Sequence, residues 1–105
     1  MKLFSFTSGK VVDAYARQLA QDFFKSCARP MATSGKDKVF EKKADQVLLS
    51  IYARAKAFRM ERRLWVFNRA RFAKSFQDEM FKLGYEADLV KRVTKALVTS
   101  ALLGK

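Results

Sequence analysis

From residue 10 onward, apolar positions recur at steps of three and four, the spacing that lines side chains along one face of a helix. Val12, Tyr15, Ala16, Leu19, Phe23 and Cys27 form the first stripe, and Lys10, Asp13, Arg17, Gln21 and Lys25 fall mostly elsewhere. Thr7-Ser8-Gly9-Lys10 reads as its start, because a hydroxyl there can accept from the free N–H groups of the first turn. Pro30 reads as its end, since the ring disfavours helical geometry at Arg29 and removes a donor. The spacing therefore predicts a helix over about 9–28. Thr33-Ser34-Gly35-Lys36 repeats the Thr7 tetrapeptide and opens a second helix, over about 36–61. Its stripe, Phe40, Ala44, Val47, Leu48, Ile51, Ala55 and Phe58, is the longest in the chain. A third helix over about 66–83 carries Phe72, Phe76, Met80 and Leu83, and Gly84 is its expected stop, tolerating left-handed geometry. Tyr85 is expected to fold back onto the helix. A fourth runs over about 86–103, with Glu86 and Asp88 favouring its first turn and Leu89, Val90, Val93, Leu97, Ala101 and Leu102 on its buried side.

The pattern breaks between Met60 and Asn68. Leu64, Trp65, Val66 and Phe67 are consecutive apolar residues, and no single helical face holds all four. An unbroken helix from residue 36 to Leu83 would be roughly 70 Å long, too long for a lone small domain. A turn between Arg62 and Phe67 is expected instead, although no Gly or Pro marks it. Residues 1–6, with Phe4 and Phe6, read as an extended arm packing on the helices.

Composition agrees with this all-α bundle of about four helices in a single domain over residues 1–105. Half the residues are apolar and Pro plus Gly total five, which argues against disorder and against many short strands. The N-terminal sequence has no long apolar run and is not expected to be a signal peptide. No stretch is long and apolar enough to span a membrane. The single cysteine, Cys27, fits a reducing compartment and a cytoplasmic address.

Candidate chemistry narrows the choice further. With no histidine and one cysteine, the chain lacks a Ser–His or Cys–His pair and a nitrogen or sulfur metal set. Gly9-Lys10 and Gly35-Lys36 lack the upstream glycine and the following hydroxyl of a phosphate loop. No catalysis, cofactor or metal is expected.

Charge supplies the positive signal. The chain carries +12, and the stretch Arg54–Lys74 holds eight basic residues against Glu61 alone, a formal +7. It also contains the only tryptophan, Trp65. Arginine forks match phosphate oxygens in pairs, and an exposed indole can stack on a base. A helical wheel sets Lys56, Arg59 and Arg63 roughly opposite Val47, Ile51, Ala55 and Phe58. Nucleic-acid phosphates are thus the first expected partner, contacted by Arg59, Arg62, Arg63, Arg69, Arg71 and Lys74, with Trp65 stacking. Neutralising five or six phosphates would give a log–log salt slope near about −5 on duplex DNA. Glu86 and Asp88 exclude the fourth helix as the reader. The alternative is a non-catalytic adaptor or structural protein, anchored by the apolar tetrad and rimmed by arginines, on an acidic protein partner. Surplus apolar surface also points to a homodimer.

Overall fold

The computed structural model describes residues 8–27 and 38–103. Four α-helices account for most of them: α1 (Gly9–Cys27), α2 (Lys38–Arg62), α3 (Val66–Lys82) and α4 (Ala87–Leu97), which widens into a π-helical turn over Val98–Leu102. No strand occurs among the described residues, so the chain is an all-α bundle. The arm over 1–6, the loop at Pro30, the second cap at Thr33-Ser34, and the side chains of Cys27, Phe40 and Ala44 lie outside the described residues.

Each helix forms where its stripe predicts, and the ends follow local chemistry. At the start of α1, Ser8 Oγ accepts the Lys10 N–H at 3.1 Å, and the Ser8 carbonyl accepts from Val11 and Val12. Those bonds satisfy donors that the first turn would otherwise leave open. The fourth helix departs from expectation at its end. Beyond Leu97 the hydrogen bonding loosens to the π pattern, with Leu103 N–H donating to the Val98 carbonyl at 2.8 Å. Ala101 and Leu102 remain buried across that widened turn.

Side-chain pairs between helices fix their directions. Asp13 meets Arg71 and Ser75 near the starts of α1 and α3, and Gln21 meets Glu79 further along, so these two helices run parallel. Tyr15 stacks on Phe58 at 4.2 Å between ring centroids, and Asp22 pairs with Arg54, so α2 runs antiparallel to α1. Tyr52 reaches the Val93 carbonyl and Arg59 the Ala101 carbonyl, so α4 runs in the sense of α2. The α1–α3 seam is the most extensive, and α2 meets the last helix chiefly at its π turn. Consecutive helices α2 and α3 therefore lie across the bundle from one another, touching through Phe58 and Phe72, whose ring centroids are 5.8 Å apart.

The core runs through all four helices: Val12, Ala16, Leu19, Ala20 and Phe23 of α1, Leu48, Ile51, Ala55 and Phe58 of α2, Phe72, Phe76 and Met80 of α3, and Val90, Val93 and Leu97 of α4. The stripes expected for the four helices supply every one of these but Ala20. A second aromatic group, Phe23 and Phe24 around Tyr85, locks the α3–α4 turn onto α1. Tyr85 does fold back and is buried.

Candidate functional site

The expected break after Arg62 is present and has a defined geometry. Arg63 takes a left-handed backbone, φ 51°. Its N–H donates to the Met60 carbonyl at 3.3 Å, and the Leu64 N–H donates to the Arg59 carbonyl at 3.0 Å. That pair of bonds is the Schellman ending of a helix. The same ending closes α3: Gly84 has φ 95°, its N–H donates to Phe81, and the Tyr85 N–H donates to Met80. In both, the residue after the left-handed position is apolar and buried, Leu64 in one and Tyr85 in the other. One ending uses glycine as expected, and the other uses arginine.

This turn splits the apolar tetrad. Leu64 is 3% exposed and anchors the turn, whereas Trp65, Val66 and Phe67 are 67%, 65% and 84% exposed. They face outward because α3 starts at Val66 with its inner face committed to Phe72 and Phe76, leaving the first turn outside the core. Two hollows join Val66 and Trp65 to other exposed apolar groups. One, of about 540 Å³, lies between α3 and the π turn and is lined by Val66, Ala70, Ala73, Val98, Leu102 and Leu103 together with Arg69, Lys74 and Gln77. The other, of about 440 Å³, is lined by Arg59, Met60, Arg63, Leu64, Trp65 and Arg69. Arg69 borders both.

The seven residues expected to bind a polyanion are not equivalent. Arg59 is the clearest departure: it is 5% exposed and does not lie on the solvated side of α2. Four residues separate it from Ala55, so it shares the inner face, and its Nε donates to the Ala101 carbonyl at 2.6 Å. Arg69 also points inward, donating from Nε to Leu64 O at 2.8 Å and from Nη1 to Leu102 O at 3.3 Å. Arg71 crosses the start of α1 as a two-pronged pair with Asp13, at 3.0 and 2.9 Å. A side chain at Gly9 would run into that guanidinium. Hydrogen bonding from Arg71 holds the Asp13 carboxyl below the usual aspartate range; burial works against it and the Ser75 hydroxyl assists. Lys74 pairs with Asp78 one turn along α3. Arg62 lies over the Phe58 ring, 5.6 Å from its centroid. Arg62 and Arg63 are exposed and pair with no carboxylate among the described residues. Arg62, Arg63 and Trp65 are therefore brought together on one corner, while Arg71 and Lys74 are occupied along α3.

Met60 and Leu103, 55% and 63% exposed, also belong to this corner and were not singled out by the sequence. The signal was there in part. Leu102 and Leu103 are adjacent, so only one of them can lie on the buried face. No group of histidine, cysteine or acidic side chains suited to a metal occurs among the described residues, and no described helix is long and apolar enough to cross a membrane. No protein-family model matches the chain, and no curated protein or solved structure matches it either.

Proposed function

We propose that this protein is a non-catalytic binding module whose α2–α3 corner docks an acidic protein partner. The observation carrying this reading is the exposed run Trp65-Val66-Phe67, with Met60 and Arg63 beside Trp65, Leu103 beside Val66, and Arg62 at the end of the preceding helix. Three consecutive large apolar residues held in water at the mouth of a helix cost solubility and contribute little to this fold. Clustered exposure of this kind marks interaction surfaces, and aromatic anchors with an arginine border are the composition of interface centres. The rim is cationic, so the complementary partner surface is acidic.

The phosphate-binding alternative draws on the same corner, with Arg62 and Arg63 beside Trp65, but fewer of its cations stand free than the sequence implies. Affinity capture from native lysate, with and without nuclease treatment, separates the two. The wild-type chain is expected to retain a discrete acidic protein that Phe67→Ser loses and that R62E/R63E holds only weakly, with the residual binding insensitive to salt. Retention of nucleic acid alone, lost on nuclease treatment and unchanged by Phe67→Ser, would overturn the proposal.

A further inference from the structure

Arg59, Arg63 and Arg69 surround one open hollow at the α2–α3 corner, with Met60, Leu64 and Trp65 completing its walls. Arginine stays charged at any physiological pH, so the walls carry three positive charges. No carboxylate lines the hollow, and none of the ion pairs among the described residues involves these three side chains. The carbonyls of Ala101, Leu64 and Leu102 orient two of the guanidiniums. Neutral dipoles hold a charge in place without cancelling it. Arg59 goes further: its Nη2 is enclosed and meets no acceptor among the described residues. A buried charged donor without a partner is costly to keep. Three like charges around a space devoid of anions add mutual repulsion. An entering oxyanion relieves the repulsion and offsets the cost of holding the Arg59 charge away from water, and the guanidinium is the group best matched to one.

We propose that this hollow is an oxyanion pocket that takes a single carboxylate, from an acidic side chain of the docking partner whose neighbouring atoms lie on Trp65 and Met60. Only the source of the carboxylate rests on the protein-partner reading above; the pocket itself does not. Two observations favour one isolated carboxylate over a phosphodiester strand. A strand needs cations that continue along its path, and Arg71 and Lys74, further along α3, are already engaged by Asp13 and Asp78. The Nε edges of Arg59 and Arg69 are also spent on backbone carbonyls. At those two arginines an incoming group meets Nη atoms only, and Arg63 alone offers a whole fork, a set that one small two-oxygen acceptor satisfies.

The full-length chain is titrated with N-acetyl-glutamate N-methylamide, which carries one side-chain carboxylate, while the arginine Nε–H and Trp65 indole resonances are followed by NMR. Sodium chloride at matched ionic strength is the control, and inorganic phosphate is a parallel arm. The comparison variant is Arg63→Gly, because glycine accepts the left-handed backbone at that position and the fold is kept. Saturable shifts at Arg59, Arg69 and Trp65 are expected with the carboxylate, and Arg63→Gly is expected to weaken binding about tenfold. Shifts that follow ionic strength alone, equal titration of both proteins, or saturation by phosphate and not by carboxylate would each overturn the assignment. The titration needs no partner protein. Its failure leaves Phe67-dependent docking standing, and loss of that docking leaves the pocket standing.

Discussion

Arg63 occupies a backbone conformation that costs an L-residue with a side chain about 1–2 kcal/mol and costs glycine almost nothing. It is held there, φ 51°, by the two hydrogen bonds of the helix ending and by the burial of Leu64 behind it. Arg63→Gly should therefore stabilise the chain by about 1 kcal/mol, raising Tm by roughly 5 °C after the entropy of a freer unfolded chain is subtracted. Gly84→Ala, at the matching position of the second ending, should lose about 1–2 kcal/mol. Thermal melting of the two variants checks both signs, and two changes of the same sign would mean that the endings are not equivalent. A glycine at position 63 would have made the turn legible; with arginine there, only the run of four apolar residues pointed to a break. Arg59 shows the opposite limit. Its four-residue step from Ala55 places it on the buried face, yet its charge argues for water. The deciding partner, the Ala101 carbonyl on the π turn, is 42 positions away and invisible to local pattern. Arg59→Met keeps a buried stem and removes the guanidinium, so it should cost about 1–3 kcal/mol. Arg59→Ala should cost more because a cavity follows. Urea unfolding of both variants tests this, and a wild-type midpoint for Arg59→Met would show that the Ala101 bond does no more than offset the cost of burying the charge.

The helices themselves were the most legible part of the chain, because a period of three to four is written directly into Val12–Phe23, Phe72–Met80 and Val90–Leu97. Their arrangement was not. The link between α2 and α3 is only three residues, 63–65, and such a link usually joins neighbours. Here the two helices sit across the bundle, and α1 packs parallel to α3 along the most extensive seam, with polar ties at its edge. The tie that matters for pH is Asp13 with Arg71 and Ser75. In the folded chain the Asp13 carboxyl is held low, chiefly by hydrogen bonding from Arg71, opposed by burial and helped by Ser75. The unfolded chain then binds the proton more readily, so stability from this seam rises with pH. It is complete above the unfolded value of about 4 and drains away as pH falls through the lower folded value. Asp13→Asn should be less stable than wild type near pH ~6, with the gap closing as pH falls below ~4 and the wild-type carboxylate protonates. Urea midpoints across that range measure the gap. A gap of constant size would mean that Asp13 supports the seam through packing alone.

At the scale of the molecule, the question is how much of the +12 charge is available to an outside partner. The basic stretch looked uniform along the sequence because neither inward-facing arginines nor partners from α1 can be read from it. Folding sorts seven of its eight basic residues into three groups and leaves Lys56 exposed outside them. Arg59 and Arg69 brace the π turn, Arg54, Arg71 and Lys74 are paired with Asp22, Asp13 and Asp78, and Arg62 and Arg63 stand at the corner with Trp65. This sorting bears on self-association. A two-fold pairing through the corner would gather Arg62 and Arg63 of both copies in one interface, a repulsion that an acidic partner avoids. It also revises the expectation for nucleic acid. Each phosphate neutralised on duplex DNA contributes about −0.9 to the log–log salt slope. Two free corner arginines account for a slope of about −2, whereas engaging all six basic residues of the expected site would give about −5. Binding of duplex DNA, measured by fluorescence anisotropy across a salt series, should show a contribution of about −2 that R62E/R63E removes. Phe67→Ser should leave it intact, because this weak attraction is electrostatic and the anchor is apolar. A slope near −5 would require Arg71 and Lys74 to leave their aspartates for phosphate. The bundle would then exchange part of its α1–α3 seam for a ligand, and nucleic acid would displace the acidic protein as the partner for which this corner is built.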